Sequence, residues 1–103
     1  MDEKRILGFD IDGLTADTLS EHCTTQPIDG KDEIVSYMKS GHKEWFTTAC
    51  VTDIVTGEET ETPDNGFTDG KYLWYAAEIY HFEKYNLKLN DDFIAHVLSK
   101  TAE

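Results

Sequence analysis

The order of the hydrophobic patterns along the chain constrains its fold more than any other feature. A strand pattern over residues 4–11 is followed by a loop, a helix over residues 29–40, a hairpin over residues 44–62 and two further helices. A parallel sheet is built from strands and helices that alternate, and this order does not alternate. It predicts an α+β fold in which a small antiparallel sheet, made of the N-terminal strand and the hairpin, packs with about three helices.

The 103 residues suit a single domain, residues 1–103. Within it, local signals mark where these helices begin and end. Asp29 is expected to cap the first long helix, and Gly41 is expected to end it in the left-handed conformation. Asn86 ends the next helix and Asn90 caps the last one, so both of these boundaries are set by residues common at helix ends.

The tyrosine-rich segment 69–85 is predicted to be one continuous helix. It begins at Thr68 or Asp69, and its two adjoining apolar stripes contain most of the tyrosines of the chain. A helix that packs on one side needs a narrower apolar face than this. The periodicity therefore leaves open whether the helix is buried at the centre of the core or exposes aromatic side chains to a partner.

Charge is the strongest global property of the sequence. The chain has 21 acidic residues against 9 Lys and Arg, for a formal net charge of −12. Nucleic acids and anionic lipid surfaces are polyanions, so direct binding to either is not expected. The same field attracts basic proteins and accelerates their association, which predicts a basic protein partner. The sequence leaves the oligomeric state open.

The lack of long apolar runs in this sequence and the spacing of its cysteines together predict a cellular location. No apolar run approaches the roughly 20 residues that cross a bilayer, and the first apolar run stops at Asp10. Cys23 and Cys50 do not form a C-x-x-C motif and are expected to be free thiols. A cytoplasmic location follows by elimination.

A partner surface is predicted where the acidic stretch meets the aromatic start of the next helix. Residues 51–70 contain six acidic residues and no Lys or Arg. Carboxylates can bind Lys and Arg of a partner, and aromatic side chains supply the apolar anchors that dominate binding energy. The alternative is a solvated loop beside a core helix. The predicted contact residues are Glu58, Glu59, Glu61, Asp64, Asp69, Tyr72, Trp74 and Tyr75.

Metal binding and cofactor binding are not predicted. The four histidines are scattered along the chain. Glu78 with His81, and Asp92 with His96, have the spacing that places two side chains on one helix face. Two ligands do not complete a zinc site, which takes three or four.

An acidic pair near the N terminus indicates an alternative function. Asp10-Ile11-Asp12-Gly13 follows the predicted strand and resembles the first motif of the haloacid-dehalogenase-like phosphohydrolases. The resemblance implies that Asp10 is the nucleophile and that Asp12 protonates the leaving group, with Mg²⁺ neutralising the phosphate. Leu14 stands where that family prefers Thr. An Mg²⁺-dependent phosphohydrolase is therefore the alternative function. The favoured expectation is that the chain is not an enzyme.

A second resemblance begins with residues 66–74 and continues to Tyr80, Tyr85, Leu89 and Phe93. The run Thr-Asp-Gly-x-x-x-Trp looks like a segment of small uncharacterised bacterial proteins in which it starts a tyrosine-rich helix. By size and charge alone, the chain also resembles immunity proteins, which cover the active site of a toxin. The favoured function is a small acidic protein-binding module, an immunity-type inhibitor of a basic toxin or nuclease. A non-enzymatic architectural or interaction subunit is a further alternative.

Overall fold

Helices and two small sheets form an α+β fold, as predicted. A computed structural model describes residues 4–6, 13–26 and 28–101 of the protein. Its helices are α1 (Ala16–Glu21), α2 (Lys31–Lys39), α3 (Ala76–Tyr85) and α4 (Asp91–Thr101). Its strands are β1 (Lys4–Arg5), β2 (His42–Trp45), β3 (Cys50–Thr52), β4 (Glu59–Pro63), β5 (Gly66–Thr68) and β6 (Tyr72–Tyr75). Among the described helices, none is long and apolar enough to cross a bilayer.

The strands are arranged differently from the prediction. β1, β6, β5 and β2 form one sheet in that order, and β3 and β4 form a separate pair. The predicted hairpin over residues 44–62 is confirmed only from Cys50 onward, with β3 and β4 as its arms. Residues 44–45 belong instead to β2 in the other sheet, and the hairpin does not join the N-terminal strand. β1 pairs with β6 in parallel, whereas β6 pairs with β5, and β5 with β2, in the antiparallel direction. Of the predicted strand 4–11, residues 7–11 lie outside the described part of the chain.

The prediction of one helix over residues 69–85 is wrong in its first part. β5 and β6 form a hairpin there, and α3 begins only at Ala76. The Asp69 carboxylate closes the turn by accepting the N–H groups of Lys71 and Tyr72 at 2.9 and 2.7 Å. Gly70 has a φ of 94°, a conformation that glycine adopts without strain. Asp69 therefore organises a β-turn instead of capping a helix.

The helices on either side of this hairpin agree with their hydrophobic patterns. α2 buries Ile34, Val35 and Met38 on one side, at the predicted spacing. Its first residue is preceded by Gly30 at a φ of 71° with no side-chain cap, so Asp29 does not cap this helix. Asn86 ends α3 in the left-handed conformation, as predicted, with a φ of 60°.

Trp74 lies at the centre of the core between the sheet and the helices. Its side chain is fully buried, and its Nε1–H donates to the Met38 carbonyl of α2 at 3.0 Å. The Phe93 ring of α4 packs against it with 5.5 Å between ring centroids. On α3, the buried side includes Ala77, Ile79 and Phe82. The tyrosine-rich segment thus contributes mainly to the core, which answers the question that periodicity left open.

Position 41 requires glycine because the Trp74 side chain lies so close to it, and not because of the backbone conformation there. Its φ is not in the positive range, so the predicted left-handed stop is wrong. A Cβ atom at this position would lie 2.7 Å from Cζ2 of Trp74. That distance is well below van der Waals contact, and the indole has no room to move because it is packed on all sides.

Replacing Gly41 with alanine is expected to lower the free energy of unfolding by about 1–3 kcal/mol, because the added methyl overpacks the core. Gly13→Ala is the matched control, since a Cβ there meets none of the described residues within 4 Å. The control is expected to change stability by less than about 0.5 kcal/mol. Urea unfolding measures both, and equal midpoints for the two variants would contradict the close packing of Gly41 on the indole.

Candidate interaction surface

The strand pair β3–β4, residues 50–63, presents the acidic side chains that the sequence singled out, and is named the acidic hairpin here. Glu58, Glu59 and Glu61 are all exposed on it. β4 itself is almost entirely solvent-facing, with only Thr60 partly covered. Because residues 51–70 contain no Lys or Arg, these carboxylates are not neutralised by neighbours in sequence. The hairpin is therefore a local concentration of negative charge that a partner can reach.

A buried carboxylate holds the turn of this hairpin. Asp53 is 2% exposed, and its Oδ1 accepts the N–H groups of Val55 and Thr56 at 2.8 and 3.0 Å. Its backbone N–H donates to the Glu58 carbonyl at 2.9 Å, and its carbonyl accepts from the Gly57 N–H at 2.7 Å. One residue thus closes the turn through both its backbone and its side chain.

The other oxygen of Asp53 ties the hairpin to α3. Asp53 Oδ2 accepts hydrogen bonds from the Tyr80 hydroxyl at 2.6 Å and the Tyr85 hydroxyl at 2.7 Å. Lys84 Nζ donates to the same oxygen at 3.2 Å and lies 5.5 Å from the centroid of each tyrosine ring. These three donors come from successive turns of one helix face, so they fix the hairpin against a rigid support.

These contacts change the acidity of the groups that make them. Burial alone would raise the pKa of the Asp53 carboxyl, but the hydrogen bonds from Tyr80, Tyr85, Thr56 and Lys84 outweigh it and hold that pKa well below its usual range. The pKa of Lys84 is raised, through hydrogen bonding to Tyr80 and then to Asp53. Asp53 is therefore ionised and Lys84 protonated at neutral pH, which preserves the link between hairpin and helix.

His81 makes a second link between α3 and the hairpin. The side chain is fully buried, and Nδ1 donates to the Ala77 carbonyl at 2.7 Å. Nε2 accepts the N–H of Ile54 at 3.1 Å, so the hydrogen-bond network assigns the neutral tautomer with its proton on Nδ1. His81 has a structural role here, and among the described residues no group of three His, Cys, Asp or Glu side chains is arranged to hold a metal ion.

Two of the predicted contact acids are instead engaged within the fold. Asp64 Oδ1 accepts the N–H of Ala77 at 3.0 Å, in the first turn of α3. Asp69 Oδ2 accepts hydrogen bonds from the Tyr37 hydroxyl and from His96 Nε2, the latter at 2.8 Å. Burial would raise the pKa of Asp69, but these bonds and those of its turn lower it overall. His96 thus pairs with Asp69, and not with Asp92 as its helical spacing suggested.

Two of the three predicted aromatic anchors do not lie on an accessible surface. Tyr72 and Trp74 are buried in β6, so neither can contact a partner in this structure. Tyr75 is half-buried at the junction of β6 and α3. The prediction placed these residues on an exposed helix face, and it fails because the segment is a strand whose alternate side chains point into the core.

Two exposed apolar side chains were missed by the sequence analysis. Phe46 is 74% exposed, and Val55 is 46% exposed in the turn of the acidic hairpin. Phe46 follows β2 and precedes residues 47–49, which bond to the far end of the hairpin through Asp64 and Asn65. The two side chains therefore flank the hairpin at its opposite ends. The sequence pattern placed both in strands and carried no signal of their exposure.

Asp10 and Asp12 lie outside the described residues, so the structure does not place the acidic pair of the phosphohydrolase-like motif. Comparison of the chain with protein-family models, curated proteins and solved structures finds no match in any of the three.

Proposed function

We propose that the chain is a small acidic protein-binding module that binds a basic protein through the acidic hairpin. The observation that carries the proposal is the exposure of Glu58, Glu59 and Glu61 on one hairpin in a chain with a net charge of −12. Exposed carboxylates steer a basic partner during encounter and set its orientation. An immunity-type inhibitor of a basic toxin or nuclease is the form of this function that the charge favours.

The rigidity of the hairpin supports this proposal. Asp53 fixes the turn internally and also bonds to three side chains of α3. A surface that is ordered before binding loses less conformational entropy when the complex forms, which strengthens affinity. Val55 and Phe46 supply apolar area at the two ends of the hairpin, where Tyr72 and Trp74 cannot. The proposed interface therefore has a charged centre with apolar contacts at its margins.

Charge reversal of the hairpin is the test. The triple variant Glu58→Lys, Glu59→Lys, Glu61→Lys is expected to slow association with the partner by about tenfold or more at low salt, because electrostatic steering is lost. The dependence of the association rate on ionic strength is expected to flatten as well. The partner is first isolated on immobilised protein from a lysate of the source organism, with elution by rising salt, and stopped-flow fluorescence then gives the rates.

A matched triple variant controls for net charge. Glu21, Asp29 and Glu33 are also exposed but lie on or beside α1 and α2, and their reversal to Lys changes the total charge equally. This control is expected to keep most of the association rate of the wild type. Equal losses of association rate in the two variants would show that total charge, and not the acidic hairpin, steers the partner. An unchanged association rate in the hairpin variant would also refute the proposed interface.

A further inference from the structure

A groove lies where the end of α2, β2, the end of β4, β5 and α3 meet. Its volume is about 390 Å³, and small-molecule sites typically measure about 300–1,000 Å³. Phe67, Ala76 and Ile79 form an apolar floor, and each of them is less than one-tenth exposed. Pro63 and Tyr80 extend this floor. A floor of this kind favours a ligand with an apolar body.

Two lysines line the same groove, in contrast to the acidity of the rest of the chain. Lys43 is opposite Phe67 in the pairing of β2 with β5, so its side chain lies on the same face of the sheet. Lys39 approaches from the last turn of α2, with Nζ 3.4 Å from Glu83 Oε1. Glu83 is the one acidic residue among the described residues of the lining, so the local formal charge is positive.

We propose that this groove binds a small amphipathic monoanion, an aliphatic or aromatic body that carries one carboxylate. The body would cover Phe67 and Ile79, and the carboxylate would meet the ammonium groups of Lys43 and Lys39. Within the described lining the two lysines outnumber the one glutamate, Glu83, so the formal charge of the lining favours an anion. The groove borders the acidic hairpin at Thr62 and Pro63, but its described lining contains none of Glu58, Glu59 and Glu61, so this inference does not rest on the proposed function.

Octanoate and octylammonium test the proposal, because they share an apolar chain and differ in the sign of the charge. Titration of isotope-labelled protein with octanoate is expected to shift the backbone amide resonances of Lys43, Phe67, Ala76 and Ile79 in a saturable manner. Octylammonium at the same concentrations is expected to leave them unchanged. Equal shifts of these four amides with the two probes, or octanoate shifts confined to other residues, would overturn the proposal.

Variants of the charged lining make the test specific. Lys43→Glu is expected to weaken octanoate binding by about tenfold, because an exposed attraction is replaced by a repulsion. Lys88→Glu makes the same charge change at an exposed residue outside the groove and is expected to bind octanoate as the wild type does. Glu83→Gln is expected to tighten binding several-fold by releasing Lys39. Equal affinities for Lys43→Glu and Lys88→Glu, in proteins with matching thermal unfolding, would refute a role for the groove.

Discussion

Replacing Asp53 with alanine is expected to lower the free energy of unfolding by about 2–4 kcal/mol, since several hydrogen bonds to a charged acceptor are lost together. The Tyr80 and Tyr85 hydroxyls and Lys84 Nζ would lose their shared acceptor, and the turn of the acidic hairpin would lose two side-chain bonds. Part of the loss is offset because Lys84 is half-exposed and can be hydrated. Urea unfolding followed by far-UV circular dichroism measures the change.

Graded substitutions separate the contributions to this network. Tyr85→Phe removes one of the donors to Asp53 Oδ2 and is expected to cost about 0.5–1.5 kcal/mol, the usual net value of a hydrogen bond. Asp53→Asn retains one side-chain oxygen as an acceptor. Its loss of unfolding free energy is expected to lie between those of Tyr85→Phe and Asp53→Ala. A loss for Asp53→Ala no larger than that for Tyr85→Phe would contradict the view that this carboxylate organises the hairpin.

The same residue is expected to make stability depend on pH in the acid range. The pKa of Asp53 is lower in the folded protein than the ~3.9 of an unfolded aspartate, so its stabilisation is complete above the unfolded value. As pH falls from about 5 through that value, protonation favours the unfolded chain and stability declines. Asp69 contributes with the same sign, because its pKa is also lowered.

Asp53→Asn is therefore expected to reduce the slope of unfolding free energy against pH between about pH 5 and pH 2, without abolishing it. Urea denaturation across that range provides the comparison, with Glu58→Gln as a control that removes an exposed carboxylate of the same hairpin. If wild type and Asp53→Asn showed equal slopes, Asp53 would not titrate with a depressed pKa.

Replacing Trp74 with alanine is expected to destabilise the protein by about 3–5 kcal/mol, the cost of emptying a large aromatic site in a core. Domains are stable by only about 5–15 kcal/mol, so this variant is expected to be partly or wholly unfolded at physiological temperature. The indole is fully buried, contacts Phe93, and donates to the Met38 carbonyl. Thermal unfolding followed by near-UV circular dichroism measures the loss.

Two comparisons interpret the Trp74 result. Trp74→Phe keeps an aromatic ring but loses the hydrogen bond to Met38, and is expected to remain folded with a smaller loss of stability. The triple hairpin variant is expected to unfold close to the wild type, since exposed substitutions usually change stability by less than about 0.5 kcal/mol each. A stable Trp74→Ala protein that had lost partner binding would restore Trp74 as an interface anchor and contradict the structure.

The hairpin β5–β6 shows why one segment was assigned to the wrong element. Tyr, Leu and Trp are compatible with both strand and helix, and residues 72–75 join α3 without a break. The Asp69-Gly70 pair is a known hairpin signal and was available in the sequence. The same pair also fits a helix start, because aspartate is common at helix caps. Pairing with β1 and β2 resolves this ambiguity, and that pairing involves residues far away in sequence.

Asp53 shows how a candidate residue was overlooked. In the sequence it is one of six acidic residues in a biased stretch, whereas the structure buries it and leaves Glu58, Glu59 and Glu61 exposed. One signal was present, since Asp53 is two residues from the buried Val51 and strand alternation places both on the same face. The sequence did not reveal its acceptor role, because Tyr85 is 32 positions away along the chain.

Local pattern by itself determined the α+β class, the positions of α2 and α4, the end of α3 at Asn86 and the large negative charge. These properties depend on residues within a few positions of one another, or on composition alone. Tertiary structure decided which acids remain exposed, that Trp74 belongs to the core, and that two lysines share a groove with Phe67. Each of these depends on chain segments that meet only when the protein folds, because burial and hydrogen bonding are set by neighbours in space.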